Sequence, residues 1–194
     1  TEAAKKLLEE AGWKDSNNND ILDKNIDGLT VELKLHYKYN QGNEIRKNIG
    51  LLLKEEAQKV GIEIILEARE WSVFLTEANR RDFDLIASAW ISSPGLDDMK
   101  QIWHTDSDTR DGSNRTGFAN KEADEIIDKI RITLDEEKRN KLYMRLQEII
   151  YEEQPYIFLC IPSNRIMISK RIKTPTVSAL RPGYQEMYFN LSKD

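Results

Sequence analysis

Apolar and polar positions alternate from Val31 through Leu33, Leu35 and Tyr37 to Tyr39, the period of a strand with one buried face, and predict a strand over residues 30–39. The period then changes. From Glu44 to Val60 the apolar residues Ile45, Ile49, Leu52, Leu53, Ala57 and Val60 recur at three- and four-residue spacing, and Gly61 follows as a cap, which predicts a helix. Ile62 to Leu66 predicts a second strand. Trp71 to Arg80 predicts a short helix with Trp71, Phe74, Leu75 and Ala78 on one side, and Phe83 to Trp90 a third, nearly all-apolar strand. The order β-α-β-α-β points to a parallel or mostly parallel sheet with right-handed crossovers. An apolar third strand suits a position covered on both faces.

The flanks add helices and loops. Thr1 to Gly12 reads as an amphipathic helix closed by glycine, without an initiator Met or an apolar targeting core, so the chain is expected to begin inside a larger protein, with any signal or anchor upstream. Asp15 to Gly28 is rich in Asx residues and is expected to be a loop. Ser92 to Gly117 is a long segment with one short helical piece, Met99 to Trp103, and loops of this size are the first place to look for a ligand. Two helices follow, Lys121 to Thr133 and Asp135 to Glu153, the second announced by Asp135 and ended before Pro155. Ile157 to Ile161 and Arg165 to Ser169 are expected to be strands, and Lys173 to Asp194, with Pro175 and Pro182, an extended arm. The fold class is thus α/β, with a mixed, mostly parallel sheet flanked by helices.

Composition narrows the function. With 39% hydrophobic and 32% charged residues the chain is that of a soluble globular protein. The net charge of −5 comes from interspersed acids and bases, so no broad electropositive face is expected and nucleic acid is not an expected partner. No apolar run approaches the roughly 18 residues needed to cross a bilayer. The one cysteine, Cys160, excludes an intramolecular disulfide, and its apolar surroundings, Ile157 to Ile161, predict a buried structural thiol.

Candidate chemistry is thin. No phosphate loop, nucleophile elbow or zinc-protease signature is present. His36 and His104 stand 68 positions apart with no ligand spacing between them, and each reads as an ordinary histidine. Asp15, Asn17 and Asn19 fill the first positions of a calcium-loop pattern, but Asp20 stands where glycine is needed and Ile26 where the bidentate Glu is needed, so no metal site is expected. Adjacent Asp97 and Asp98 read best as a cap for the Met99 to Trp103 helix. No catalytic residue and no cofactor are expected. A ligand in an open α/β sheet sits beyond the carboxyl ends of the strands, where Trp71 and Trp90 would offer flat apolar surface beside the hydroxyls of Ser92 and Ser93 and the amide of Gly95.

Several segments in order bear a family resemblance. They are Ala4-x-x-Leu7-Leu8-x-x-Ala11-Gly12-Trp13 with its Asx-rich loop, Gly61-Ile62 to Trp71, and Phe83-Asp84 to Trp90. Asn114-x-x-Gly117-Phe118-x-Asn120 with Asp124, and Glu152-Glu153-x-Pro155-Tyr156-Ile157, complete the set. Together they resemble the C-terminal part of the solute-binding proteins of ABC peptide transporters, a family that delivers oligopeptides, dipeptides, nickel chelates or oligosaccharides.

That resemblance implies a two-lobed, periplasmic-binding-protein-like fold. Residues 1–172 would form the C-terminal α/β lobe, and residues 173–194 a tail returning to an N-terminal lobe absent from this sequence. It implies a receptor, not an enzyme, that hands a small peptide or similar solute to a membrane permease, in the periplasm or at the cell surface, anchored through an upstream lipoprotein signal; the alternatives are a non-catalytic sensory or docking module of the same fold, or a binder of a non-peptide solute such as an oligosaccharide or metal chelate. Trp71 and Trp90, 19 positions apart, match aromatic residues lining the family's substrate cavity. Peptide binders of the family place Asp three positions after the second tryptophan to meet the peptide's ammonium, and here that position is Ser93. Either Asp97 or Asp98 takes over that role, or the ligand has no free amino end. Ala78, Asn79 and Ala87 stand where some relatives carry cations for peptide carboxylates.

Overall fold

In a computed structural model, residues 1–90, 98–161 and 166–172 are described. The elements run α1 (Glu2–Glu10), β1 (Asp23–Ile26), β2 (Leu29–Glu32), β3 (Lys34–Asn40), α2 (Glu44–Gln58), β4 (Glu63–Arg69), α3 (Trp71–Arg80) and β5 (Leu85–Ile86). They continue with α4 (Lys100–Trp103), a 3-10 turn (Thr105–Ser107), α5 (Lys121–Ile132) and α6 (Glu136–Glu153). The chain divides into two compact units, one of residues 1–89 with 110–115 and one of 90–109 with 116–194.

In the first unit β3 lies between β4 and β5, parallel to both, with Tyr37 opposite Leu66 on one side and opposite Leu85 on the other. This is the expected crossover sheet. The side-chain period of two sends Leu35, Tyr37 and Tyr39 to one face, where they pack with Ile49, Leu53 and Ala57 of α2 and Ile64 and Leu66 of β4. Asn43 caps α2 by accepting the Arg46 N–H at 3.0 Å, and Glu70 caps α3 through the Ser72 N–H at 2.8 Å, each contact worth about 1 kcal/mol. In the second unit Ile126, Ile127 and Ile130 of α5 close on Leu146, Ile149 and Ile150 of α6, with Trp103 and Phe118 at their edge. Asn120 and Asp135 cap these two helices.

Several expectations change. The Asx-rich segment is not wholly loop: Asp23–Ile26 forms a hairpin with Leu29–Glu32, turning at Asp27 and Gly28, both with positive φ. The carboxylate of Asp23 is buried and accepts from the Ser16 hydroxyl and N–H, a side-chain contact that an alternation of apolar residues does not announce. The strand expected over 30–39 breaks at Leu33, whose N–H leaves the ladder to meet the Leu22 carbonyl at 2.7 Å, so it becomes the outer half of the hairpin and a separate sheet strand. The third strand shrinks to Leu85–Ile86, because β3 pairs with it only at Tyr37 and Lys38.

Residues 157–161 and 166–169 form no strand, and Arg165 lies outside the described residues. Cys160, expected buried, is exposed, as are Ile157, Phe158 and Leu159 beside it: no neighbouring strand covers this run among the described residues. The expected arm, 173–194, lies outside the described residues.

Gly50 shows how closely α2 approaches the sheet. A Cβ built there stands 2.5 Å from Cε1 and 2.7 Å from Cδ1 of Tyr37. Ala in a helix interior normally gains about 1 kcal/mol over Gly. Here overpacking outweighs that gain, and Gly50→Ala is expected to destabilise by about 1–2 kcal/mol in urea unfolding.

Tyr37 itself is buried and donates its hydroxyl to the Arg46 carbonyl at 2.7 Å. Burial pushes its phenol from the ordinary 10 up to about 12. The unfolded chain therefore releases this proton first, so this contribution to stability is intact below about pH 10 and is lost as pH rises through about 12. Urea midpoints compared between about pH 9 and pH 11 are expected to fall less in Tyr37→Phe than in the wild type.

Candidate functional site

The carboxyl ends of β3 and β4 lie together, joined by the Gln41 N–H donating to the Arg69 carbonyl at 2.7 Å. Two residues beyond β4, Trp71 opens α3. Its indole is 51% exposed, yet its inner face is stacked on the buried ring of Phe74, 5.6 Å between centroids and 17° between planes. The i, i+3 spacing on α3 makes that stack possible. Phe74 is backed in turn by Arg46 of α2, whose guanidinium carbon lies 5.7 Å from the Phe74 centroid and whose Nη1 donates to Asn40 Oδ1 at 2.6 Å. Trp71 is therefore a braced platform with one bare face, at the edge where an open α/β sheet places ligands.

Behind the platform a line of charges fastens α3 to the sheet. Lys38, buried on the face of β3 opposite Tyr37, donates to the Asp82 carbonyl and lies 3.1 Å from Glu77 Oε2. Glu77 of α3 also accepts from Arg69 Nε at 3.1 Å, Arg69 pairs with Glu67, and Glu67 reaches His36 Nδ1 at 2.8 Å. This face was expected to be simply polar. The structure makes it a continuous ion-pair network. A depression of about 460 Å³ opens over it, lined by His36, Lys38, Glu67, Arg69, Arg81 and Asp84 among others. Of its charged walls, His36, Lys38, Glu67, Arg69 and Asp82 are paired within the network and Arg81 donates to the Asn114 carbonyl at 2.9 Å, unlike the mostly apolar lining of small-molecule sites, and the depression lies on the sheet face rather than at the carboxyl edge.

The other expected residues fall elsewhere. Trp90 belongs to the second unit, is 41% exposed, and donates its indole N–H to the Tyr156 hydroxyl at 3.3 Å. Tyr156 packs on Trp103, 4.6 Å between centroids, so Trp90 too is held from behind. The N-cap of α4 is Met99, without a side-chain cap, rather than the expected Asp97 or Asp98; Asp98 stands one residue before it, accepts the Lys100 N–H at 3.1 Å and lies 3.4 Å from Arg131 Nε. Ser92, Ser93, Gly95 and Asp97 lie outside the described residues. His104, buried, accepts the Asp106 N–H on Nδ1 at 3.0 Å and caps the 3-10 turn. Asp15, Asn17 and Asn19 accept backbone N–H groups of their own loop, and no cluster of three metal-ligating side chains occurs among the described residues.

Sequence reading passed over Arg46 and Asn40. A signal for Arg46 was present: its helix neighbours at i−3, i+3 and i+4 are Asn43, Ile49 and Gly50, so no acid at helical spacing was available to pair with it.

The crossover sheet thus carries a braced aromatic platform at its carboxyl edge. Residues 1–113 match the bacterial extracellular solute-binding proteins, family 5 Middle, and the chain belongs to that family. Among its relatives, the oligopeptide-binding protein AppA of Bacillus subtilis (strain 168) is 35% identical over 172 residues, 88% of this chain and 31% of its own length. The solved structure of AppA in complex with a nonapeptide is 34% identical with a TM-score of 0.72, over 80% of this chain and 30% of that one. The oligopeptide-binding protein of Thermus thermophilus complexed with a pentapeptide is 25% identical with a TM-score of 0.71, over 79% and 28%. The chain thus spans about a third of the length of the relatives it matches. No helix among the described residues is long and apolar enough to cross a membrane.

Proposed function

We propose that this chain is the C-terminal lobe, residues 1–172, of a receptor that closes with an N-terminal lobe around a small peptide and delivers it to an ABC transporter permease. Residues 173–194 return to that other lobe. The receptor works outside the cytoplasmic membrane, held there by a lipid anchor upstream, and performs no chemistry on its cargo. The observation that carries this reading is Trp71, half-exposed and stacked on Phe74 at the carboxyl edge of the parallel sheet, in a chain of this family. Relatives in complex with a nonapeptide and a pentapeptide support a peptide as cargo.

Within the site, Trp71 and Trp90 stack on the solute, and Ser92 and Ser93 hydrogen-bond to it. Asp98 already faces Arg131, which favours Asp97 over Asp98 as the carboxylate meeting the peptide's ammonium. Mass spectrometry of the small molecules released when the intact protein is purified from its own cells and denatured tests the reading. Peptides are expected. A sugar or a metal chelate would retain the receptor and remove the peptide.

A further inference from the structure

His104 ends α4 and opens the 3-10 turn of the second unit, with its side chain buried. A backbone N–H only donates, so the Asp106 N–H at 3.0 Å from Nδ1 fixes the ring as the neutral tautomer, with Nδ1 bare and the proton on Nε2. Carboxylates surround it. Asp106 of the turn lies 3.5 Å from Nδ1, Asp124 of α5 lies 3.7 Å from Nδ1, and Asp128 of α5 lies 3.7 Å from Nε2. Lys100 of α4 faces the same group, 2.9 Å from Asp106 and 3.7 Å from Asp128, while Arg131 of α5 is held by Asp98. A proton placed on Nδ1 turns this acceptor into a donor aimed at another donor, and the cap on the turn is lost. Burial opposes a charged ring, but carboxylates within 4.0 Å on both sides supply the counter-charge it needs. The ring therefore has two arrangements, one neutral and accepting from the turn backbone, the other charged and donating to Asp106 or Asp124. Asp124 also accepts the Thr105 N–H at 2.9 Å, so drawing its carboxylate to the ring disturbs a second hydrogen bond of the turn.

The turn is joined to Trp90. Trp103, the residue before His104, packs on Tyr156 at 4.6 Å between centroids, and Tyr156 accepts the Trp90 indole N–H. We propose that His104 is a proton-operated latch: in mildly acid surroundings it takes up a proton, gives up the Asp106 N–H and loosens Trp103, and with it the hold on Trp90, so that solute is captured less tightly than at neutral pH. The part that concerns capture rests on the reading of the chain as a solute receptor, and the latch itself does not. Histidine ordinarily changes its charge between about pH 5 and 8, which sets the window. His36 is built differently: it is exposed, and its Nδ1 meets the Glu67 carboxylate rather than a backbone N–H, so a proton gained there leaves its hydrogen bond in place.

Hydrogen exchange read by mass spectrometry on the intact, solute-free protein tests the latch. With the intrinsic pH dependence of exchange divided out, protection over residues 104–108 is expected to fall about fivefold from about pH 7.5 to about pH 5.5, the value of one capping hydrogen bond, while α6 keeps its protection. His104→Asn puts an amide oxygen where Nδ1 stands, caps the turn at either pH and does not titrate, so its protection is expected to stay level. Level protection in the wild type, where no variant has to fold, overturns the proposal, as does an equal fall in His104→Asn. Calorimetry with penta-alanine at the same two pH values tests the link to capture. The wild type is expected to lose about threefold or more affinity toward acid beyond what His104→Asn loses, and equal losses overturn the link to Trp90. Should neither protein bind the peptide at either pH, the peptide reading fails separately, and hydrogen exchange decides on the latch.

Discussion

Trp71→Ala is expected to weaken solute capture by about 30-fold while leaving the fold intact. The ring is half-exposed and its inner face rests on Phe74, so truncation removes an outward apolar surface without opening a large cavity. Aromatic anchors at the centre of a binding surface are worth about 2 kcal/mol or more on truncation, and about 1.4 kcal/mol is a factor of ten. Trp71→Phe retains a ring at the same stacking distance and is expected to lose less than about fivefold. Calorimetric titration of the intact protein reads both values. Unchanged affinity in Trp71→Ala would show that the cargo does not rest on this platform.

The other large effect concerns stability. Glu77 lies between Lys38 of β3 and Arg69 of β4, with its side chain and both partners substantially buried. Glu77→Ala leaves two cations short of a partner in a poorly solvated place. Breaking a buried pair from one side costs about 3–5 kcal/mol, and the lower end applies here because Lys38 keeps Asp82 and Arg69 keeps Glu67. About 3 kcal/mol is therefore expected in urea unfolding. Glu77→Gln keeps a hydrogen-bonding side chain of the same size and is expected to lose less than Ala does. A loss below about 1 kcal/mol in Glu77→Ala would mean that solvent screens the network. Because Glu77 lies on the helix that begins with Trp71, the same substitution is expected to weaken capture beyond its effect on unfolding.

The parts of the fold set by periodicity were legible in the sequence. The helices found over 44–58, 71–80, 121–132 and 136–153 come from apolar spacing and from capping residues, the strand expected from Ile62 to Leu66 is found over 63–69, three residues longer at its carboxyl end, and the parallel order of β3, β4 and β5 follows from their alternation with helices. What was not legible depends on contacts distant in sequence. The hairpin at Asp23–Ile26 is made by turn geometry and by Ser16 binding Asp23, in a segment whose composition speaks for a loop. The burial of Lys38 required knowing that Glu77 and Asp82, 39 and 44 positions away, would meet it. The place of Trp71 just after a strand was legible, but its brace was not: Phe74 was visible as a core residue and Arg46 only as a charge. Cys160 misled because an apolar run predicts burial only where something lies over it.

Enclosure of a peptide is what the receptor reading requires of this chain. Calorimetric titration of the intact protein, freed of bound solute by unfolding and refolding, with a mixed pool of pentapeptides and nonapeptides tests it most directly. Saturable binding at one site per protein is expected. No saturable binding to any part of the pool, by protein whose refolding is verified by its circular dichroism, would contradict it.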